Sequence, residues 1–129
     1  MPDVRVTAAV IRDEEKLLIA QRLEVDERHP LAWELPGGKI EEGETPEECL
    51  AREMLEEMGV EVEVGEMILT ARYDYPDLPV ELLVFECTML EGELRDLGCA
   101  AHAWVTLEET DGYNLLPPDR EIMEMLGNH

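Results

Sequence analysis

The sequence has few positively charged residues. Its 129 residues include ten Lys and Arg against 32 Asp and Glu, which gives a formal net charge of −22 at pH 7. A surface this acidic repels nucleic-acid backbones and therefore argues against a nucleic-acid partner. It also repels a free polyphosphate, so phosphate chemistry on this chain requires bound cations that reverse the local field. Two explanations of the acidity stay open, a salty cytoplasm and a strongly solvated surface.

Cysteines and long apolar runs are scarce as well. The three cysteines are odd in number and irregularly spaced, which fits a reducing cytoplasm better than a disulfide scaffold or a zinc site. No apolar run approaches the roughly 20 residues of a membrane span. The residues after Met1 lack the basic and then apolar pattern of a targeting segment. We therefore expect a cytoplasmic protein with no membrane partner.

The remaining sequence contains strand and helix patterns in mixed order. Apolar residues make up 45% of the chain, enough for the core of one domain over residues 1–129. Apolar and β-branched runs predict strands at residues 4–11, 16–21, 39–40, 60–64, 67–75, 80–89 and 102–106. The first two strands form a hairpin, residues 23–32 a loop, and residues 76–79 a turn. With helices at residues 46–58 and 119–126, the pattern predicts an α/β layered domain.

The first helix has the clearest start and stop signals. Thr45 is a suitable N-cap residue, and Glu48 follows three residues later as in a capping box. Pro46 occupies the first helical position, where proline is tolerated. Gly59 follows the last turn as a left-handed stop. These signals place the helix at residues 46–58.

A helical wheel separates this helix into an apolar and an acidic face. The predicted apolar face, which we expect to pack on the sheet, contains Leu50, Ala51, Met54, Leu55 and Met58. Glu53, Glu56 and Glu57 gather on the opposite face, with Arg52 at its edge. Three carboxylates at this spacing repel one another. Divalent cations remove that penalty, and ligands that are all oxygen favour Mg²⁺ or Mn²⁺.

Two further features flank the acidic face. Gly37 and Gly38 lack Cβ atoms, so their backbone can approach metal ions or substrate phosphates closely, and a carbonyl there can be a ligand. Glu44 is placed to hold Arg52 in a bidentate salt bridge, which would pin the loop to the helix.

Residues 38–60, GKIEEGETPEECLAREMLEEMGV, fit the pattern G-x5-E-x7-R-E-U-x-E-E-x-G-U, where U is apolar. The specified positions are Gly38, Glu44, Arg52, Glu53, Met54, Glu56, Glu57, Gly59 and Val60. This segment resembles the signature of the Nudix hydrolases, and residues 34–39 resemble the MutT-like branch. The resemblance implies an α/β/α sandwich on a mixed sheet. It implies metal ligands at Glu53, Glu56, Glu57 and the carbonyl of Gly37, with Glu53 orienting or deprotonating the attacking water.

The resemblance also suggests residues that bind substrate. Arg22 follows the second strand, where relatives carry an arginine that meets phosphate; the alternative is an exposed charge. Gly38 and Lys39 are placed to contact phosphate, and the alternative for Lys39 is a solvated side chain. Asp119 follows a Pro-rich segment like the one with which relatives recognise the base. The alternative for Asp119 is the N-cap of the last helix.

One feature departs from the family pattern. Many relatives carry another glutamate just before the Trp-containing strand, and residues 95–103 of this chain contain none. Asp96 and His102 are the candidates to replace it, and a structural role is the alternative for both. The number of metal ions and the identity of the base therefore stay open.

These observations predict a Mg²⁺-dependent nucleoside triphosphate pyrophosphohydrolase that converts NTP and water to NMP and diphosphate. The resemblance favours (d)CTP or oxidised dGTP as substrates. Alternatives are hydrolysis of ADP-ribose or dinucleoside polyphosphates, a Nudix domain that senses a nucleotide without cleaving it, and an acidic protein-interaction module. The relatives leave monomer and homodimer both open.

Overall fold

The computed structural model describes residues 4–25, 29–76 and 78–127. Its strands are β1 (Val4–Asp13), β2 (Lys16–Gln21), β3 (Trp33–Glu34), β4 (Glu61–Tyr75), β5 (Leu78–Glu91) and β6 (Ala101–Val105), and its helices are α1 (Pro46–Met58) and α2 (Pro117–Gly127). A short 3-10 helix covers Glu109–Gly112. Among these residues, no helix is long and apolar enough to cross a membrane.

The strands form a mixed sheet in the order β3-β2-β1-β5-β4, and β6 also pairs with β2. β1 runs parallel to β5, whereas β4 pairs with β5 in the antiparallel direction. The predicted hairpin of β1 and β2 pairs only at its tip, through Arg12 with Leu17 and Asp13 with Lys16. Beyond that tip β2 pairs with β3 through Ala20 and Gln21, whereas β1 donates backbone hydrogen bonds to the carbonyls of Pro36 and Gly38.

The core lies on both faces of the sheet. Residues 7–11 of β1 are all buried, as expected for a strand that is covered on both sides. Ala9 and Ile11 belong to the cluster that includes Leu50, Met54 and Met58 of α1. Ala8 and Val10 belong to the cluster that includes Ile122 and Met123 of α2. This arrangement confirms the predicted mixed α/β fold, with one helix on each face.

Several predicted boundaries were wrong in detail. The strands predicted at 60–64 and 67–75 form one strand, β4, whose register shifts at Val64, Met67 and Leu69 interrupt the alternation. Residues 78 and 79 of the predicted turn belong to β5, and residue 77 lies outside the described residues. The strand predicted at 39–40 is a single bridge between Lys39 and Val6. Of the predicted 23–32 loop, residues 26–28 also lie outside the described part.

The predicted apolar face of α1 also needs correction. Leu50, Met54 and Met58 are fully buried, but Leu55 is 53% exposed. Cys49 is buried in its place. At about 100° per residue, the buried arc runs from Cys49 through Leu50 to Met58, and Leu55 lies on the far side. Glu53 and Glu57 fall within this arc, not opposite to it.

Candidate active site

The first helix is fixed at both ends. Thr45 Oγ1 accepts the Glu48 backbone N–H at 3.1 Å, and Glu48 Oε1 accepts the Thr45 backbone N–H at 2.9 Å. Gly59 has a φ of 69° and donates to the Leu55 carbonyl at 3.0 Å. The predicted capping box, glycine stop and bounds of this helix are therefore confirmed.

The segment after β5 caps the same helix from outside. The backbone N–H groups of Leu97 and Gly98 donate to the Glu57 carbonyl at 2.9 and 3.0 Å, and that of Arg95 donates to the Met58 carbonyl at 3.0 Å. Carbonyls in the last turn of a helix have no partner within it, so these bonds satisfy them. They hold the turn that carries Glu57 against residues 95–98.

The glycine pair lies between β1 and α1 with no room for side chains. Gly37 has a φ of 149°, and a Cβ there would come within 2.1 Å of the Thr7 carbonyl oxygen. A Cβ on Gly38 would come within 2.3 Å of the Glu53 carboxyl carbon. Glycine is therefore required at Gly37, where a side chain would meet backbone, whereas a side chain at Gly38 would displace the Glu53 carboxylate. The loop backbone lies directly against that carboxylate.

Arg52 connects the loop to the acidic side chains of the helix. Its Nε and Nη2 donate to the two carboxylate oxygens of Glu44 at 2.7 and 3.0 Å, which confirms the predicted bidentate geometry. Its Nη1 donates to Glu53 Oε1 at 3.0 Å and to Glu56 Oε2 at 3.1 Å. The hydrogen bonds from Arg52 lower the pKa of Glu44 to about 2.

The three glutamates of the helix have different surroundings. Burial, together with the nearby Glu34 and Glu53 charges, raises the pKa of Glu57 to about 8, against the opposing effect of its bond from the Gly37 N–H at 3.3 Å. Burial also raises the pKa of Glu53, against the effect of Arg52. The Glu56 side chain is 58% exposed. In the part of the chain that the structure describes, no three Asp, Glu, His or Cys side chains converge as a ready-made metal site.

These residues nevertheless fit a divalent cation. The donors are all oxygens, which is the ligand set that Mg²⁺ and Mn²⁺ prefer. The absence of a side chain on Gly38 leaves the Glu53 carboxylate accessible beside the loop backbone. Burial destabilises the charged form of Glu57, and a cation would stabilise that form. Glu53 and Glu56 would have to exchange their bonds with Arg52 for the cation.

A cleft of about 530 Å³ opens beside these groups. Five predicted residues of the loop and helix line it, namely Gly37, Gly38, Lys39, Glu53 and Glu57. Glu44, Arg52 and Glu56 lie outside its lining and contact the lining residues through Arg52. The volume is within the usual range for a small-molecule site.

A second group of charged residues lines the same cleft, which we call the Arg22–Glu34–Asp119 group. Arg22 Nη1 donates to Glu34 Oε1 at 3.1 Å. Asp119 Oδ1 accepts the Leu35 N–H at 2.9 Å, and this residue is only 3% exposed. Burial and the charge of Glu34 raise the pKa of Asp119, while the Leu35 N–H and Arg22 lower it.

The structure bears on the alternatives for these residues. Asp119 is the third residue of α2, which begins at Pro117, so its interpretation as an N-cap was wrong. Arg22 lies in the cleft and is not an isolated surface charge. Sequence reasoning missed Glu34, although a charged residue in a short strand just before the glycine pair was an available signal. Lys39 lines the cleft with an exposed side chain.

Neither candidate for the missing glutamate lines the cleft in the described part of the chain. His102 Nδ1 and Asp96 Oδ1 lie 2.6 Å apart and form a pair with each other. Their neighbours Gly98 and Cys99 do line the cleft. The pair therefore anchors the segment that caps α1, which is the structural alternative.

Comparisons with known proteins agree with this geometry. A model of the NUDIX domain family matches residues 1–126. The CTP pyrophosphohydrolase of Escherichia coli (strain K12) is 32% identical over 124 residues, 96% of this chain and 91% of that protein. The 8-oxo-dGTP diphosphatase of Proteus vulgaris is 37% identical over 100 residues, 72% of this chain and 83% of that protein. The solution structure of the E. coli ORF135 protein has a TM-score of 0.86 at 30% identity, covering 99% of this chain and 91% of that chain.

A mixed sheet between two helices, with a capped acidic helix facing a glycine loop, defines the class, and the chain belongs to the NUDIX domain family. Within it, the chain is a MutT-like Nudix hydrolase. Nudix hydrolases generally use divalent metal ions, which agrees with the oxygen donors gathered beside the cleft.

Proposed function

We propose that this protein is a Mg²⁺-dependent nucleoside triphosphate pyrophosphohydrolase, with Mn²⁺ as a substitute, that acts on (d)CTP or oxidised dGTP in the cytoplasm. The observation that carries the proposal is that one cleft is lined both by Glu53, Glu57 and the glycine pair and by the Arg22–Glu34–Asp119 group. A nucleotide has a polyanionic part and a base: the acidic helix, the glycine pair and Arg22 suit the phosphates, and Asp119 suits the base. The products are the nucleoside monophosphate and diphosphate.

The acidic helix and the glycine loop hold the cation and the phosphates. Glu53, Glu56, Glu57 and the carbonyl of Gly37 are the proposed ligands, and Gly38 and Lys39 lie beside them for the phosphate chain. The cation would neutralise phosphate charge and lower the pKa of a water molecule. Glu53 borders the glycine loop and orients or deprotonates that water. Glu44 and Arg52 keep the loop and the helix in register.

The other residues of the cleft recognise the rest of the nucleotide. Arg22 contacts a phosphate, exchanging part of its bond with Glu34. Asp119 reads the base with the oxygen that does not bond Leu35. When ionised, that oxygen accepts from an exocyclic amine such as that of cytosine; when protonated, it donates to an oxidised purine. The raised pKa of Asp119 increases the protonated fraction, which supports including both substrates.

A substrate panel tests the proposal. The substrates are CTP, dCTP, oxidised dGTP, unmodified dGTP, ADP-ribose and a dinucleoside tetraphosphate. Released phosphate is measured after adding pyrophosphatase for the triphosphates. For ADP-ribose and the dinucleoside it is measured after adding alkaline phosphatase, because their cleavage exposes terminal phosphates and releases no diphosphate. We expect turnover of CTP, dCTP or oxidised dGTP, abolished by EDTA and restored by Mg²⁺ or Mn²⁺. Turnover of ADP-ribose or the dinucleoside alone would move the activity to the alternative substrates and contradict the triphosphate proposal.

One variant separates the enzyme from a domain that only binds nucleotide. We expect Glu53→Gln to lower kcat by at least about 100-fold, because a positioned general base contributes that much or more. Nucleotide binding, measured by calorimetry, should persist. Glu47→Gln is the matched control, since Glu47 is an exposed glutamate in the first turn of the same helix. Equal inactivity of the wild type and Glu53→Gln, with nucleotide still bound, would favour the sensor.

A further inference from the structure

Two buried polar side chains lie behind the glycine pair and have no part in the proposed chemistry. Thr7 of β1 is 1% exposed and Cys49 of α1 is 0% exposed. Their Oγ1 and Sγ atoms are 3.4 Å apart. Most neighbours of Thr7 in β1 are apolar, so a hydroxyl at this depth calls for a partner.

The partner of both side chains is the backbone of the glycine loop. Thr7 Oγ1 donates to the Gly38 carbonyl at 3.1 Å and accepts the Gly38 N–H at 3.4 Å. The Thr7 backbone N–H donates to the same carbonyl at 2.8 Å. Cys49 Sγ lies 3.4 Å from the carbonyls of both Gly38 and Lys39. One strand and one helix thus hold the polar groups of residues 38 and 39.

This loop depends on contacts from outside. Gly37 and Gly38 carry no side chains, so they contribute no packing of their own, and glycine has the largest conformational freedom to lose. Valine in place of Thr7 would fill nearly the same volume but would leave the Gly38 N–H without that acceptor. The hydroxyl therefore fixes the loop backbone in a way that apolar packing does not.

We propose that Thr7 and Cys49 are positioning residues, a polar clamp that holds the backbone of residues 37–39 where it contacts the metal ion and the phosphates. The inference rests on the proposed function, because the clamp acts through the Gly37 carbonyl and the Gly38 backbone. Thr7 borders the cleft but is almost completely buried, so its hydroxyl acts on the loop and not on a nucleotide.

The first test is Mn²⁺ affinity, measured by electron paramagnetic resonance on the full chain without nucleotide. We expect Thr7→Val to weaken Mn²⁺ binding by about 10- to 100-fold, the usual effect of removing a group that orients metal ligands. Thr7→Ser keeps the hydroxyl and should restore binding close to the wild-type level. kcat with the best nucleotide should follow the same order.

Thr110→Val is the matched control. Thr110 is also 1% exposed, and its Oγ1 donates to the Leu107 carbonyl in the segment after β6, outside the lining of the cleft. The same substitution there should lower the melting temperature and leave Mn²⁺ affinity unchanged. If Thr7→Val changes only the melting temperature, or if Thr7→Ser behaves like Thr7→Val, the clamp is refuted.

Cys49→Ala gives a second test that does not depend on Thr7→Val folding. A thiol is a weak donor, so we expect a smaller loss of Mn²⁺ affinity than in Thr7→Val. The double variant should lose less than the product of the two single effects, because both side chains hold one carbonyl. Independent effects, or no effect of Cys49→Ala, would overturn the joint clamp.

Mn²⁺ binding and nucleotide hydrolysis by the wild type show whether the clamp alone fails or the proposed function fails as well. If the wild type binds Mn²⁺ and hydrolyses a nucleotide but Thr7→Val is indistinguishable from it, only the clamp fails. If the wild type neither binds Mn²⁺ nor hydrolyses any nucleotide of the panel, the proposed function fails and the clamp fails with it.

Discussion

The two charged groups that line the cleft are built in different ways. The box, residues 38–60, joins residues close in sequence: Arg52 bonds Glu44 eight positions away and Glu56 four positions away. The Arg22–Glu34–Asp119 group joins residues from distant segments, and the bond between Leu35 and Asp119 spans 84 positions. Local spacing can specify the first group, whereas only the folded sheet brings the second together.

The pKa values of two glutamates within the box differ as well. Glu44 and Glu57 belong to the same motif, yet the pKa of Glu44 falls to about 2 and that of Glu57 rises to about 8. Arg52 supplies two hydrogen bonds to Glu44, while Glu57 is half-buried beside other carboxylates. The same residue type therefore serves as a structural anion in one position and as a candidate ligand for a cation in the other.

Of the following variants, Glu57→Gln should lower kcat the most. If the box acts on the phosphates alone, the loss should be the same for every nucleotide. We expect kcat to fall by at least about 100-fold, because an anionic donor to the cation is lost while the oxygen facing the Gly37 N–H is kept. Steady-state kinetics on two nucleotides measures this. A loss confined to one nucleotide would show that Glu57 reads the base.

Gly37 and Gly43 both have positive φ, but only Gly37 lies against other atoms, so the two positions can be compared. Gly37→Ala should destabilise the fold by about 2–4 kcal/mol, since the Cβ collides with the Thr7 carbonyl and the backbone has positive φ. Gly43→Ala is the control, because Gly43 has a φ of 84° with open space around its Cβ. Its cost should be about 1–2 kcal/mol, from backbone strain alone. The free energies of unfolding are measured in urea. Equal losses in the two variants would show that the contact between Gly37 and the Thr7 carbonyl adds nothing to the cost of backbone strain.

The bidentate bond of Arg52 predicts an effect of intermediate size. Arg52→Lys keeps the charge but not the planar fork, so we expect kcat to fall by about 10- to 100-fold with all nucleotides. Arg72→Lys, at a more exposed ion pair with Asp74, should leave kcat unchanged. A similar loss in both variants would mean that the fork of Arg52 has no special role.

We expect the smallest effect at the Arg22–Glu34–Asp119 group, where the preference between two substrates should depend on pH. Below the raised pKa of Asp119 the carboxyl is protonated and donates; above it the carboxylate accepts from the cytosine amine. The ratio of kcat/KM for CTP to that for oxidised dGTP should therefore rise with pH, by about 10-fold for one charged hydrogen bond. Glu34 and Arg22 are the neighbours whose charges enter this balance.

Asp119→Asn should abolish that dependence, because an amide keeps its donor and acceptor at every pH. Asp111→Asn is the control, since Asp111 is an exposed aspartate paired with Arg120. A ratio that still rises with pH in Asp119→Asn would assign the effect to another group.

Much of the fold and of the box could be predicted from the sequence. The caps, the bounds of α1, the pair of Arg52 and Glu44, and the mixed arrangement of strands and helices were confirmed. The predicted strand boundaries were wrong where the pairing register shifts: the irregularity in β4 interrupts the apolar alternation and was interpreted as a gap between two strands. Roles of the site residues in metal binding and catalysis stay predictions, as does the single domain over residues 1–129.

The sequence by itself determined α1 and its motif, because caps, glycine stops and helical spacing act over a few residues. Tertiary structure alone decided which arc of that helix is buried. It exposed Leu55, enclosed Glu57 and brought Glu34 beside Arg22 and Asp119. Burial and the pKa shifts that follow from it depend on what packs against a residue from distant parts of the chain, and no local pattern contains that information.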